Sequence, residues 1–373
     1  MRRERCASTA HARAGDIITS APSSLMRAAR ACAESGRVVI ARDVRVPAIG
    51  ARDALVRVRA AGVNHIDANA LRDGYAVDVY AGPPGRRETW TPGREFSGVV
   101  AAVGRDVRDV RVGDEVYGAT APTSRAGAFA EYASAPAHAL ARKPVGMTHE
   151  EACAIPFAAL TAHRAMMVSG RARAGERALV LGGGSAVGTA ACALAKAAGC
   201  EVVTTCGKRD FEFLRGVIGV DDVVDYEAKG EASLRGRAAR EGWAPFDVAV
   251  DCVGLRRTEV QAFERLRHGV GRYVTLHGDL GKSVTRDGGM LFGAFRAFGE
   301  YARRSTFARW QHDISYVQAV MRLDPDAMID IARLVESGKL RIPVGEVLPL
   351  DDIERAYDLL RDRSVFGKIV VTL

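Results

Sequence analysis

Apolar positions follow two different periods along this chain, and the change of period divides it into two kinds of domain. Between Arg37 and Ala133 they come in short runs at Arg37–Ile40, Ala54–Ala60, Gly98–Val103, Asp114–Tyr117 and Ala128–Ala133, cut by Gly, Asp and Pro. Short alternating runs divided by turn residues predict a mostly β domain. From about Gly175 the runs become strand–helix alternation, with strands predicted at 177–182, 201–205, 222–225, 246–251 and 271–276. That order predicts a doubly wound parallel sheet, so the fold class is α/β. After Gly278 the spacing is helical over roughly 290–304, 311–322 and 325–337. The tail reads strand (Glu346–Leu350), helix (Ile353–Leu360), strand (Lys368–Thr372).

The junction most telling for chemistry is RALVLGGGSAVGTAACALAKAAG, residues 177–199. An apolar run ends in three glycines, a fourth follows at Gly188, and an Ala-rich helix closes at Gly199. Strand, tight glycine turn and helix form a cradle for a dinucleotide pyrophosphate, because bare backbone N–H groups and the positive helix end face the phosphates. Gly182, Gly184, Ser185, Ala186, Val187 and Gly188 are the candidate contacts, with the Ser185 hydroxyl as a further donor to the pyrophosphate. The next strand, EVVTT (201–205), runs into Cys206, Gly207, Lys208 and Arg209, with Asp210 only afterwards. An NAD-selective unit offers Asp or Glu there. Two cations suit a 2′-phosphate, and a charge-assisted hydrogen bond of about 1.5–3 kcal/mol favours NADPH about 10- to 100-fold. The competing reading is a solvated basic loop.

With 373 residues the chain is long enough for about two domains with real cores. No uncharged apolar run approaches the roughly 20 residues that span a membrane, so a soluble protein is expected. The net charge of +8 does not point to nucleic acid, because the cations are scattered and aromatic content is only 6%. Six Arg against Glu4, Asp16 and Glu34 put +3 of that charge in the first 35 residues. This Arg-, Ala- and Ser-rich segment resembles an organelle transit peptide, with Met26 as an alternative start, and residues 1–35 are expected to lie outside the fold. Seven Cys without a CxxC pair favour a reducing compartment over a disulfide framework.

Several segments in register carry a family resemblance: AAGVNHIDANALRDGY (60–75), TPGREFSGVVAAVGRDVRDVRVGDEVYG (91–118), AFAEYA (128–133), AIPFAALTAHRA (154–165), VDDVVDY (220–226), FDVAVDCVG (246–254), GRYVTL (271–276) and GKLRIPVGEVLPLDDIERAYDLLRDRSVFGKIVV (338–371). With the glycine turn, they resemble the zinc-independent medium-chain dehydrogenase/reductases of the quinone oxidoreductase type. The long insert before Pro92 and the helical stretch after Gly278 are similar to the mitochondrial reticulon-interacting branch and its plant and algal relatives. The resemblance implies a GroES-like mostly β catalytic domain (36–157 and 314–373) and a Rossmann NADPH-binding domain (158–313). It implies hydride transfer to a quinone or related electron-poor acceptor. A 2-alkenal or enoyl-thioester reductase and a non-catalytic NADPH-binding scaffold remain as alternatives. A mitochondrial location follows from the branch, with the chloroplast as the alternative. Relatives are often homodimers, and peripheral membrane contact is compatible with a quinone acceptor.

The departures from the pattern bear on mechanism. Zinc alcohol dehydrogenases of this superfamily place a Cys ligand at the position of Asn64 and a His at that of Arg94, and no Cys occurs between Glu95 and Arg142. Zinc needs three or four Cys, His or carboxylate ligands, so no metal is expected. The Tyr that serves bacterial quinone reductases is replaced by Asn69, leaving Tyr75 or Tyr80 as substitutes. Asn64 is the candidate donor to the developing oxyanion, and Asp67 is expected to orient its loop. Thr161 resembles a nicotinamide contact and Tyr226 an adenosine-side contact. Leu276 resembles the floor under the nicotinamide. Phe366 and Lys368 resemble the C-terminal return to the cofactor, with Lys368 on a phosphate.

Overall fold

A computed structural model describes residues 24–32, 35–73, 89–122, 124–277 and 290–373. Tyr75, Tyr80, residues 1–23 of the expected leader and most of the insert lie outside them.

The second period gives the cofactor-type domain. Strands β9 (Arg177–Leu181), β10 (Glu201–Cys206), β11 (Asp222–Asp225), β12 (Val248–Asp251), β13 (Arg272–Thr275) and β14 (Ser315–Gln318) form one sheet in the order β11-β10-β9-β12-β13-β14, every pair parallel. This is the doubly wound dinucleotide-binding order, whose crevice opens where the winding reverses, between β9 and β12. Both faces are covered, which is why the strands are continuous apolar runs. The helix Ala186–Ala197 covers one face with Ala190, Ala191, Cys192, Ala193 and Ala195, all buried. Side chains this small let it lie close to the sheet and to the helix Pro156–His163, itself lined by Ala158, Ala159 and Ala162.

The sixth strand corrects the reading of 311–322 as a helix and moves the domain's end from 313 to beyond Gln318. Ile314, Val317 and Met321 fit helical spacing, but parallel pairing of Ser315–Gln318 with β13 outweighs that local pattern. One helix, Met290–His312, fills the crossover before it.

The first period and the tail build the other domain together. Its main sheet runs β15 (Val344–Pro349), β16 (Lys368–Thr372), β3 (Asp53–Gly62), β5 (Glu95–Val103), β6 (Glu115–Ala119), β8 (Leu140–Arg142), with β7 (Tyr132–Pro136) also on β3. The run 128–133 therefore becomes a strand only at its end. A small sheet pairs β1 (Leu25–Cys32) with β2 (Arg37–Arg45) and with Thr89–Trp90. β1 corrects the expectation that residues 1–35 lie outside the fold: Met26, Ala28, Ala29 and Ala31 are buried. Its Arg residues disguise the strand, because Arg27 and Arg30 turn outward to Asp351 and Thr89. Among the described residues one helical stretch, His149–Ser169, is long and apolar enough to cross a membrane, but 67% of its most apolar window is packed inside the protein.

Candidate active site

The glycine turn has the geometry its sequence implies. Gly182 holds φ +90°, where side chains are strained. A Cβ at Gly183 would overlap the Thr204 hydroxyl, one at Gly184 the Asp210 carboxylate, and one at Gly188 the Gly182 carbonyl. The turn is therefore bare because its neighbours leave no room, and its outer face stays free for a ligand. Ser185 caps the following helix: its Oγ accepts from Gly188 N at 3.0 Å and donates to Gly182 O at 2.8 Å. This corrects the expected donation to a pyrophosphate, since the only hydroxyl proton is used within the turn. The donors left for an anion are the first-turn N–H groups of Ala186 and Val187, which no helical carbonyl satisfies. A pyrophosphate fits this cradle.

The far end of β10 carries the two cations. Lys208 is 82% exposed, its Nζ 3.8 Å from Asp225. Arg209 reaches across to the other domain and donates to the carbonyls of Arg363, Ser364 and Val365 at 3.2–3.4 Å. Asp210 folds back to accept from Gly207 N at 3.1 Å, and the half-exposed Tyr226 ring lies beside Gly207. Beyond β12, the buried Asp251 carboxylate accepts from Val253 N, Gly254 N, Thr258 Oγ1 and Tyr273 OH at 2.7–3.0 Å. It shapes the turn 252–254 that borders the crevice, and Leu276 follows β13 at the same edge. Its signal in the sequence is a carboxylate ending a buried strand, which must find donors.

The catalytic-side cluster is assembled from three distant parts of the chain. β3 ends just before Asn64, β5 begins at Glu95 and β16 begins at Lys368. The Lys368 ammonium lies 2.6 Å from Glu95 Oε1 and donates to Asn64 Oδ1 at 2.7 Å. The Asn64 amide donates to Glu95 Oε1 at 2.9 Å and to Gly62 O at 3.3 Å. The second oxygen of Glu95 accepts from Phe157 N at 2.8 Å, at the start of the helix that carries Thr161. All three side chains are buried. Two expectations are corrected here. Asn64 has both amide hydrogens engaged and cannot donate to an oxyanion, and Lys368 is held by Asn64 and Glu95 instead of reaching a phosphate. Glu95 was missed, although it follows directly on the position of an absent metal ligand.

Asp67 holds the loops around this cluster, accepting from Asn64 N at 3.1 Å and Gly93 N at 3.0 Å. Burial pushes its carboxyl up to about 6, against the pull of Arg94 3.8 Å away. Arg94 is itself buried and donates to Ser124 O and Ala121 O. Its long chain turns away from the cluster, where a metal-binding His would have faced in. Thr161 donates to Phe157 O at 2.7 Å, which keeps its oxygen as an acceptor. Phe366 meets Phe213 of the other domain edge to face, 6.1 Å between centroids. His65, directly after Asn64, is exposed. Desolvation, then Arg363, Lys368 and His277, push it down to about 4, so it is neutral at pH 7.

Comparison with known proteins agrees with this architecture. The profile described as "alcohol dehydrogenase GroES-like domain" matches residues 50–145, and that described as "zinc-binding dehydrogenase" matches 218–371. The chain is similar to the mitochondrial NAD(P)H oxidoreductase RTN4IP1 of Bos taurus, 31% identical over 338 residues that cover 86% of this chain and 82% of the relative. It is also similar to the trans-enoyl reductase pgmF of Aspergillus terreus, 28% identical over 87% of each. In fold it resembles the quinone oxidoreductase of Coxiella burnetii, with a TM-score of 0.73 at 24% identity over 94% of this chain and 99% of that one. Both halves of the chain, the doubly wound crevice and the sheet that closes over it, thus carry one assignment: the protein belongs to the medium-chain dehydrogenase/reductase family of oxidoreductases.

Proposed function

We propose that this chain is an NADPH-dependent, zinc-independent oxidoreductase that delivers hydride to a quinone or a related electron-poor acceptor. The observation that carries the reading is the pairing of a bare glycine cradle with a catalytic-side cluster built of Asn64, Glu95 and Lys368, which has no metal-ligand set. When bound, the dinucleotide supplies the hydride, and the residues of the chain bind, orient and exclude water. The N–H groups of Ala186 and Val187 hold the pyrophosphate over the bare glycines 182, 184 and 188, while Thr161 and Leu276 flank the nicotinamide. Lys208 and Arg209 receive the 2′-phosphate, with Tyr226 beside them. The long bonds of Arg209 to 363–365 are weaker than a charge-assisted bond to phosphate, so the guanidinium is free to exchange them. The similarity to mitochondrial relatives supports a mitochondrial location.

The test is NADPH consumption by the full chain with a short-chain quinone and a 2-alkenal in parallel, with NADH as control. Quinone-dependent, NADPH-selective oxidation supports the reading. Turnover with the alkenal alone moves the assignment to an alkene reductase, in line with the name of the Aspergillus relative. Equal use of NADH removes the 2′-phosphate role from Lys208 and Arg209.

A further inference from the structure

Where the matching family profile is described as zinc-binding, this chain has a buried organic cation. Among the described residues no three His, Cys, Asp or Glu side chains converge as a metal would require. Asn64 and Arg94 stand at the two ligand positions, and the ammonium of Lys368 is packed against the first of them. One charged donor then stands out within the cluster. Glu95 is engaged by Lys368, Asn64 and Phe157 N, and both amide hydrogens of Asn64 are taken by Glu95 and Gly62. Arg94 donates to the carbonyls of Ser124 and Ala121 with its Nε 3.8 Å from Asp67, and His65, neutral at pH 7, offers an N–H without a charge. The Lys368 ammonium has three N–H bonds, of which two have acceptors among the described residues.

The cluster also lies beside the contact between the domains: Phe366, two residues before Lys368, meets Phe213 of the facing domain, and Arg209 of that domain reaches the carbonyls of 363–365. His65, next in sequence to Asn64, is exposed. From this arrangement we infer that Lys368 is the electrophile of the reaction: its third N–H receives the acceptor's carbonyl oxygen and stabilises the oxyanion that hydride addition creates. The inference rests on the hydride-transfer reading given above. The bound dinucleotide would supply hydride, with its electron pair, to an alkene or ring carbon conjugated with that carbonyl, and the displaced π pair would move onto the carbonyl oxygen. A solvent proton on that oxygen gives the enol; for a quinone, loss of the ring proton at the hydride-bearing carbon to solvent and protonation of the second oxygen then complete the quinol. Glu95 and Asn64 position the ammonium and offset its charge, so the unliganded site is neutral and the cation is fully felt only as negative charge develops.

The test compares the full-length protein with Lys368→Met and with the Lys368→Met/Glu95→Gln double variant, which avoids leaving a buried carboxylate unpaired. Folding is checked by circular dichroism and NADPH binding by fluorescence. The first readout is quinone-dependent kcat, expected to fall about 100-fold with NADPH affinity changed little, the effect of losing one oxyanion donor. The second needs no turnover. In wild type with oxidised cofactor, 4-nitrophenol should bind as its coloured anion and ionise at lower pH than in water, and in the double variant this downward shift should vanish. A folded, NADPH-binding double variant with kcat within threefold of wild type would overturn the inference. So would 4-nitrophenol that fails to bind ionised to wild type, or an unchanged shift in the variant. Failure of the hydride-transfer reading shows separately, as wild type that oxidises NADPH with neither acceptor while the phenolate shift persists.

Discussion

Replacing Asp251 by alanine should unfasten the cofactor side of the crevice, and the structure sets the size of the effect. The carboxylate has no exposure and serves four donors. Thr258 loses little, because its hydroxyl also reaches Leu255 O at 2.7 Å. Tyr273 loses its acceptor inside the core, which costs about 1.5–3 kcal/mol for a bond to a charged group. The N–H groups of Val253 and Gly254 lie on a part-buried turn and lose about 1 kcal/mol each. The total is about 4 kcal/mol, near the upper end for a single substitution. Asp251→Asn, which keeps one accepting oxygen, should cost roughly half of that. Urea denaturation followed by circular dichroism measures both. A double-mutant cycle with Tyr273→Phe isolates the buried bond, with a coupling of about 1.5 kcal/mol or more expected. NADPH affinity should fall in parallel, because His277 also rests on this turn through the Cys252 carbonyl, 3.1 Å away. An Asp251→Ala loss below about 1 kcal/mol, or strict additivity with Tyr273→Phe, would refute the reasoning.

Other outcomes follow from the same geometry. Gly184→Ala should abolish NADPH binding by fluorescence titration while the catalytic-side sheet stays folded, because its Cβ collides with Asp210. Ser185→Ala should cost about 1 kcal/mol of stability through loss of the helix cap, read from the shift in urea midpoint, with only a small change in NADPH affinity. Burial raises the Asp67 carboxyl from about 3.8 in an unfolded chain to about 6, so its contribution to stability is full below about 3.8 and is lost as pH rises through 6. Roughly 3 kcal/mol is at stake, and Asp67→Asn should flatten that part of the stability–pH curve measured by urea denaturation. Prolonged treatment with a strong chelator should leave turnover unchanged, and stoichiometric zinc in the purified protein by elemental analysis would contradict the zinc-independent reading.

What was legible in the sequence is what local chemistry determines. Glycines forced by a φ of +90° or by a neighbour's contact leave a mark at their own positions, so the 182–188 turn was readable residue by residue. The parallel strands were readable because burial on both faces leaves continuous apolar runs. The catalytic cluster was not, because Lys368 and Asn64 lie 304 positions apart and nothing in either neighbourhood encodes the other. A lysine opening a strand reads as a solvated or phosphate-bound cation until its partners are known. β14 and β1 failed for related reasons: in each the stabilising contact is with another strand, while the local pattern resembles a helix or a leader.

The placement of β16 has a consequence for how the molecule comes into being. This strand follows every other strand named above, yet it lies inside its sheet, between β15 and β3, and its first residue is Lys368. All six strands of the doubly wound sheet have been synthesised by Gln318. During translation the nucleotide cradle can therefore form while the lysine is still unmade, and the catalytic sheet closes only once β16 has left the ribosome and entered its slot. A message cut before codon 368 would yield a protein with a complete cofactor-type sheet but with neither a closed catalytic sheet nor its buried cation.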